Sequence, residues 1–215
     1  MKKAGRHGSE IVEEFFRPIE EHHKEYISLH NNPDYKDVDF DWGNGGLKAT
    51  HVRHSNLSSD RSRYFGLTPN QLENYCQDIL FRLGNSAILC EEGIESVPGK
   101  PDTALDLLLN GKRMDISSVT EPKEHYRNNL LGKNHQLRKY NRLPYVIEES
   151  DSVCLYFHDP SLFSPEKVTK GFEEMKKMQY RDKETGELKY HVIRIKHIYC
   201  VINEGNGRFE VFNVE

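Results

Sequence analysis

Leu105-Asp106-Leu107-Leu108-Leu109-Asn110-Gly111-Lys112-Arg113-Met114-Asp115-Ile116-Ser117-Ser118 is the stretch whose reading decides the fold. Asn-Gly supplies the two positive φ angles of a tight primed turn, so the stretch predicts a β-hairpin with arms over 105–109 and 112–119. Counting outward from the turn, Leu109 faces Lys112, Leu108 faces Arg113, Leu107 faces Met114 and Asp106 faces Asp115. Alternation then puts Asp106, Leu108, Arg113, Asp115 and Ser117 on one face, and Leu105, Leu107, Leu109, Met114 and Ile116 on the other. Two carboxylates facing each other at about 5 Å repel by about 3 kcal/mol at an effective dielectric near 20. A stable hairpin needs something to offset that: a divalent cation, a shared proton, or a basic side chain such as Arg113.

Working outward, Thr68-Pro69 opens a helix whose apolar stripe is Leu72, Cys76, Ile79, Leu80 and Leu83, closed by Gly84. A short apolar strand follows over 86–90. Beyond the hairpin come a helix over 124–141, a buried strand over 152–157 and a helix over 165–178. A long alternating strand over 188–202 is expected to pair with 208–214. Upstream, 9–30 reads as an amphipathic helix interrupted by Pro18, and 31–41 as a turn-rich acidic stretch. The expected fold is α/β: a mixed sheet with a helix-β-β-β-helix-β core, a helical N-terminal arm and a C-terminal β-hairpin. The expected segments are 1–62 for the arm, 63–178 for the core and 179–215 for the extension.

Composition narrows the class. Of 215 residues, 36% are apolar and 30% charged, but ten Phe and eleven Tyr are too many for a disordered chain. No apolar run is long enough to span a membrane, and Met1-Lys2-Lys3-Ala4-Gly5 does not lead into a signal-peptide core. Four cysteines with no CxxC pair point away from a disulfide framework and toward a reducing compartment, so a cytoplasmic location is expected. The net charge of −4 carries no global nucleic-acid signal, yet Lys123, Arg127, Lys133, Arg138, Lys139 and Arg142 form a local basic stripe.

The order helix-β-β-β-helix-β, with Glu73 on the first helix, Asp106 on a strand and Asp115-x-Ser117 on the next, resembles the PD-(D/E)xK, or restriction-endonuclease-like, nuclease superfamily. The segments Gly99-Lys100-Pro101-Asp102 and Leu107 to Ser118 look most like its polymorphic-toxin members, including contact-dependent inhibition tRNases. Gln136-Leu137-Arg138-Lys139-Tyr140 matches the QxxxY element of RecB-like members. Gly45 to His54 resembles a stretch of toxin-like proteins of mobile elements. Together these motifs cover about residues 45–157.

The resemblance implies metal-dependent hydrolysis of phosphodiester bonds in DNA or RNA, tRNA among the candidates, with Mg²⁺ (or Mn²⁺) held by Asp106, Asp115 and Glu73. It implies that Gln136 and Tyr140 steer the substrate backbone, and that Lys133, Arg138, Lys139 and Arg113 meet phosphates. An immunity protein is the kind of partner such toxins have. The family's lysine falls at Ser117, so Arg113, Lys133 or Lys100 would have to replace it. Asp102 is a further, weaker acidic candidate. Two other readings stay open: a metal-free ribonuclease using His51 and His54 as base and acid, and a non-catalytic nucleic-acid or protein adaptor.

Overall fold

The hairpin forms in the expected register, with a shorter first arm. β5 (Leu107–Leu109) and β6 (Lys112–Ser118) pair antiparallel, Leu107 opposite Met114 and Leu109 opposite Lys112. Asn110 and Gly111 take φ values of 47° and 83°, the left-handed pair that a primed turn requires. Asn110 also ties the turn sideways to β4 (Ser86–Leu89): its Oδ1 accepts from the Ser86 amide at 2.8 Å, and its own amide donates to Ser86 O at 2.8 Å. This is a computed structural model, and it describes residues 5–6, 18–54, 63–91 and 104–214. Lys100, Asp102 and the expected helical residues 9–17 lie outside the described residues.

Around the hairpin a mixed sheet of nine strands runs in the order β1-β11-β10-β7-β6-β5-β4-β3-β2. The other members are β1 (Gly5–Arg6), β2 (Tyr35–Phe40), β3 (Leu47–His51), β7 (Ser152–Phe157), β10 (His197–Ile202) and β11 (Arg208–Asn213). β6, β7 and β10 are mutually parallel, as are β3 and β4; the remaining neighbours are antiparallel. The sheet therefore runs through all three expected segments, and the N-terminal one supplies three strands, β1, β2 and β3, rather than a helical arm alone.

Among the described residues four helices cover the sheet. On one face α2 (Pro69–Arg82) lays Leu72, Cys76, Ile79 and Leu80 on Leu89, Leu107, Met114, Ile116 and Tyr156. A capping box starts it: the Gln71 amide donates to Thr68 Oγ1 at 3.1 Å, and the Thr68 amide to Gln71 Oε1 at 2.8 Å. On the other face α3 (Arg127–Tyr140) and α4 (Pro165–Lys176) bury Leu130, Leu137, Val168, Phe172 and Met175 against Val153, Leu155, Ile198 and Cys200. α1 (Ile19–His30), with Pro18 just before its first turn, covers the far end with Leu29 on Phe40, Leu47 and Ile88. The two helices α3 and α4 touch through Gly171, where a Cβ would come within 2.8 Å of the Tyr126 amide nitrogen. No helix among the described residues is long and apolar enough to cross a membrane.

Three expectations are corrected. The acidic stretch 31–41 contains β2, an edge strand whose register shifts between Lys36 and Asp39 with Asp37 at φ 53°; the bulge lets Tyr35 share the face of Val38 and Phe40 and pack with them on the cluster under α1. The strand expected over 188–202 is two strands. β9 (Leu188–Tyr190) pairs with β8 (Gln179–Arg181) in a separate ribbon, and only β10 pairs with β11. Between them the Asn134 side chain of α3 takes the place of a partner strand, donating to Val192 O at 2.9 Å and accepting from the Arg194 amide at 2.7 Å. Leu105 joins the cluster under α3, because β5 begins only at Leu107 and strict alternation does not reach back to it.

Candidate active site

Because Met114 and Ile116 face α2, Asp115 must face α3, in the middle of an otherwise apolar interface. Its side chain is wholly buried, and its Oδ2 lies 3.0 Å from Lys133 Nζ. Among the described residues no backbone or hydroxyl donor reaches either Asp115 oxygen; their neighbours are the Lys133 ammonium and the Asp106 carboxyl. Asp106 stands one residue ahead of β5, held by the Cys90 amide on its carbonyl at 2.8 Å and by the Ile116 amide on its Oδ2 at 3.4 Å.

Burial, and then the Asp106 charge, push the Asp115 carboxyl well above the usual aspartate range, with Lys133 pulling the other way. Burial alone would pull the Lys133 ammonium down, but Asp115, Asp106 and Glu73 overcome it and its pKa is raised. The two carboxyls thus stand together as the hairpin register predicts. The basic group on Asp115 is Lys133 and not Arg113, whose Nη1 donates to Leu105 O at 3.4 Å.

Helix and strand keep step here. Two residues of strand advance about 6.7 Å and four residues of helix about 6.0 Å. α3 runs back along β6, so Lys133 meets Asp115 while Asn129 meets Ser117, its Nδ2 donating to Ser117 Oγ at 3.0 Å. Ser117 itself offers no charge. The positive charge comes in from the helix instead, at the neighbouring position, Asp115.

Glu73, nearly buried on the second turn of α2, places Oε2 3.1 Å from His54 Nε2, and the opposite ring nitrogen, Nδ1, lies 2.8 Å from Cys90 O. His51 is engaged elsewhere: its Nδ1 accepts from the Arg53 amide at 3.2 Å, and its Nε2 is 4.0 Å from Glu91, which the Arg53 guanidinium also grips at 2.5 Å. The two histidines read as a base and acid pair thus each face a separate carboxylate.

The other expected residues spread along α3. Gln136 is half-buried, and Tyr140 lines a cleft of about 350 Å³ at the turn end of the hairpin, with Arg113, Tyr145, Ile147 and Ser152. Arg113 sits two residues before Asp115 on the same strand face, so this cleft adjoins the acids rather than enclosing them. Lys139 is exposed, while the Arg138 charge is felt at His135 and His191 on the outer side of the helix. Lys133, expected to meet phosphates or to replace the missing lysine, lies largely buried on Asp115. Sequence reasoning missed Asn129, whose place one turn before Lys133 is its only signal, and it missed the His54–Glu73 contact. Among the described residues no three His, Cys, Asp or Glu side chains converge to cage an ion. Comparison with protein-family models, with curated proteins and with solved structures finds no match to this chain.

Proposed function

We propose that the chain is a metal-dependent nuclease of the PD-(D/E)xK kind, hydrolysing phosphodiester bonds in DNA or RNA, with Lys133 acting in place of the lysine absent at Ser117. The observation that carries this reading is the buried Asp115–Lys133 pair at 3.0 Å with Asp106 against it. Taking two charges out of water costs several kcal/mol per ion, and a well-packed apolar pair is often as stable or more so. Stability alone therefore gives no reason to keep this pair at the centre of an apolar interface. The order of elements and the resemblance of the hairpin to toxin-type members support the same reading.

The donor set suits the ion that the family implies. Mg²⁺ and Mn²⁺ take hard oxygen ligands, and Mg²⁺ is usually held by one or two carboxylates, with water and substrate phosphate completing the shell. Asp106 and Asp115 supply two carboxylates, with Glu73 as the third acid nearby. A bound dication would polarise a phosphate oxygen and lower the pKa of the attacking water.

The chain's own residues do the rest. Lys133 presents a fixed ammonium where negative charge grows on the phosphate, and needs little reorganisation because α3 already holds it. Asn129 and Ser117 hold the helix in step with the strand. Arg113 and Tyr140 line the adjoining cleft, where the neighbouring nucleotide would rest. The test is incubation with total tRNA and with plasmid DNA, with and without Mg²⁺, comparing wild type, Asp115→Asn and Lys133→Met. Mg²⁺-dependent cleavage that falls about 100-fold or more in both variants is expected. Cleavage unaffected by Asp115→Asn overturns the reading, and binding without cleavage, unchanged by EDTA, would assign an adaptor.

A further inference from the structure

We infer that His54 is a positioning residue that sets Glu73 against the Asp106–Lys133 side of the site, so that the strand pair β2–β3 is part of the active centre and not an appendage; this rests on the nuclease reading above. The geometry is a short relay through one peptide group. Cys90 donates its amide to Asp106 O at 2.8 Å, and its own carbonyl meets His54 Nδ1 at 2.8 Å. A carbonyl only accepts, so Nδ1 carries a hydrogen, and for Nε2 to donate to Glu73 Oε2 at 3.1 Å the ring carries a second one there, an imidazolium facing a carboxylate. Two acids on different elements, Glu73 on α2 and Asp106 ahead of β5, are thereby held to one another through the end of β4.

The relay is dry. The His54 side chain is 1% exposed and that of Glu73 11%, so little water competes for these contacts. His54 lies three residues past the end of β3, which runs parallel beside β4 with Thr50 opposite Leu89. The imidazole therefore reaches Cys90 only because β3 is in the sheet. Glu73 in turn matters to the site, since its charge contributes to holding the Lys133 ammonium in its charged form. Groups that orient an ion's carboxylates in this way change metal affinity by 10- to 100-fold when removed.

The experiment is titration of the full chain with Mn²⁺ by calorimetry, with cleavage rates alongside, for wild type, His54→Ala, His54→Gln, Glu73→Ala and the His54→Ala/Glu73→Ala double variant. The expected result is Mn²⁺ affinity lower by about 10-fold or more in His54→Ala, recovered in large part by His54→Gln, whose amide still donates to Glu73. In the Glu73→Ala background His54→Ala is expected to add nothing. Mn²⁺ affinity unchanged in His54→Ala, or losses that simply add in the double variant, overturns the inference while an Asp115-dependent Mn²⁺ site leaves the nuclease reading intact. Wild-type chain that takes up no Mn²⁺ overturns both. If His54→Ala does not fold, His54→Gln against Glu73→Ala decides: equal losses would show that donation to Glu73 is not what His54 contributes.

Discussion

α2 and α3 lie on opposite faces of the same four strands, and they are held there differently. α2 presents Leu72, Cys76, Ile79 and Leu80, with one neutral polar group, Gln77, whose Nε2 donates to Ala49 O at 2.7 Å and Ala87 O at 3.0 Å. α3 presents Leu130 and Leu137, with Asn134 bridging Val192 and Arg194 in the same manner, and then adds Lys133 on Asp115. An amide satisfied by two main-chain groups is a good way to join elements, and both helices use it. A buried ammonium on a buried carboxyl is not needed for that purpose, and only one face has it. α2 carries one acid inward, Glu73 on His54 at 3.1 Å, whereas α3 lays an ammonium on a wholly buried carboxyl of the sheet itself, where field strength is greatest.

The comparison breaks most sharply at Lys133. Lys133→Ala leaves Asp115 buried without its cation and should cost about 4 kcal/mol in urea unfolding, together with loss of cleavage. Replacing both members, Asp115→Asn with Lys133→Met, should recover most of that stability and none of the activity. Recovery of both would mean that the pair serves packing after all. The mirror experiment on the other face is Leu80→Ala, with an expected loss of about 3 kcal/mol from the cavity it opens. Its cleavage rate per folded molecule should stay at the wild-type value. A selective loss of rate there would erase the distinction between the faces.

The smallest effect sharpens the picture on the outer side of α3, where His135 Nε2 and His191 Nδ1 lie 3.2 Å apart. Burial comes first for both rings; the facing His191, Arg138 and Lys139 then add to it at His135, and Arg138 at His191, and all hold these imidazoles below the usual histidine value. Tyr180 packs on His191 from the ribbon, its ring 5.0 Å away. A histidine with a lowered folded pKa takes its proton more readily when unfolded. The contact therefore contributes fully above about pH 6.5 and is lost as pH falls below it. Thermal melts from about pH 8 to about pH 5 should show a shallower acid-side fall in His191→Gln than in wild type. An identical slope would remove the pair from the account of how α3 is held.

What could be read in advance follows the range of the interaction. The Asn110-Gly111 turn and its register depend on a few neighbouring residues, and the structure has them as read. Thr68-Pro69 is equally local, and α2 starts there. β2 was hidden because its acidic residues look like a turn, while the inward Tyr35 needs the bulge at Asp37 to share a face with Val38 and Phe40. The break after Tyr190 was hidden because the group that replaces the partner strand, Asn134, comes from a distant helix. At the site, Lys133 was one of three cations that could stand in for Ser117; choosing it required the in-step packing of α3 on β6. The His54–Glu73 contact depends on the parallel pairing of β3 with β4, which no local pattern announces.

The bare α-carbon of Gly171 reaches beyond its own helix. With a Cβ there only 2.8 Å from the Tyr126 nitrogen, even a methyl group would have to prise α4 away from the first turn of α3. A helix moves as a stiff rod, so the displacement would be delivered further along, at the ammonium on Asp115, where an error of about 1 Å can cost 100-fold in rate. Under the nuclease reading, the rate would then depend on a seam between two helices that no substrate touches.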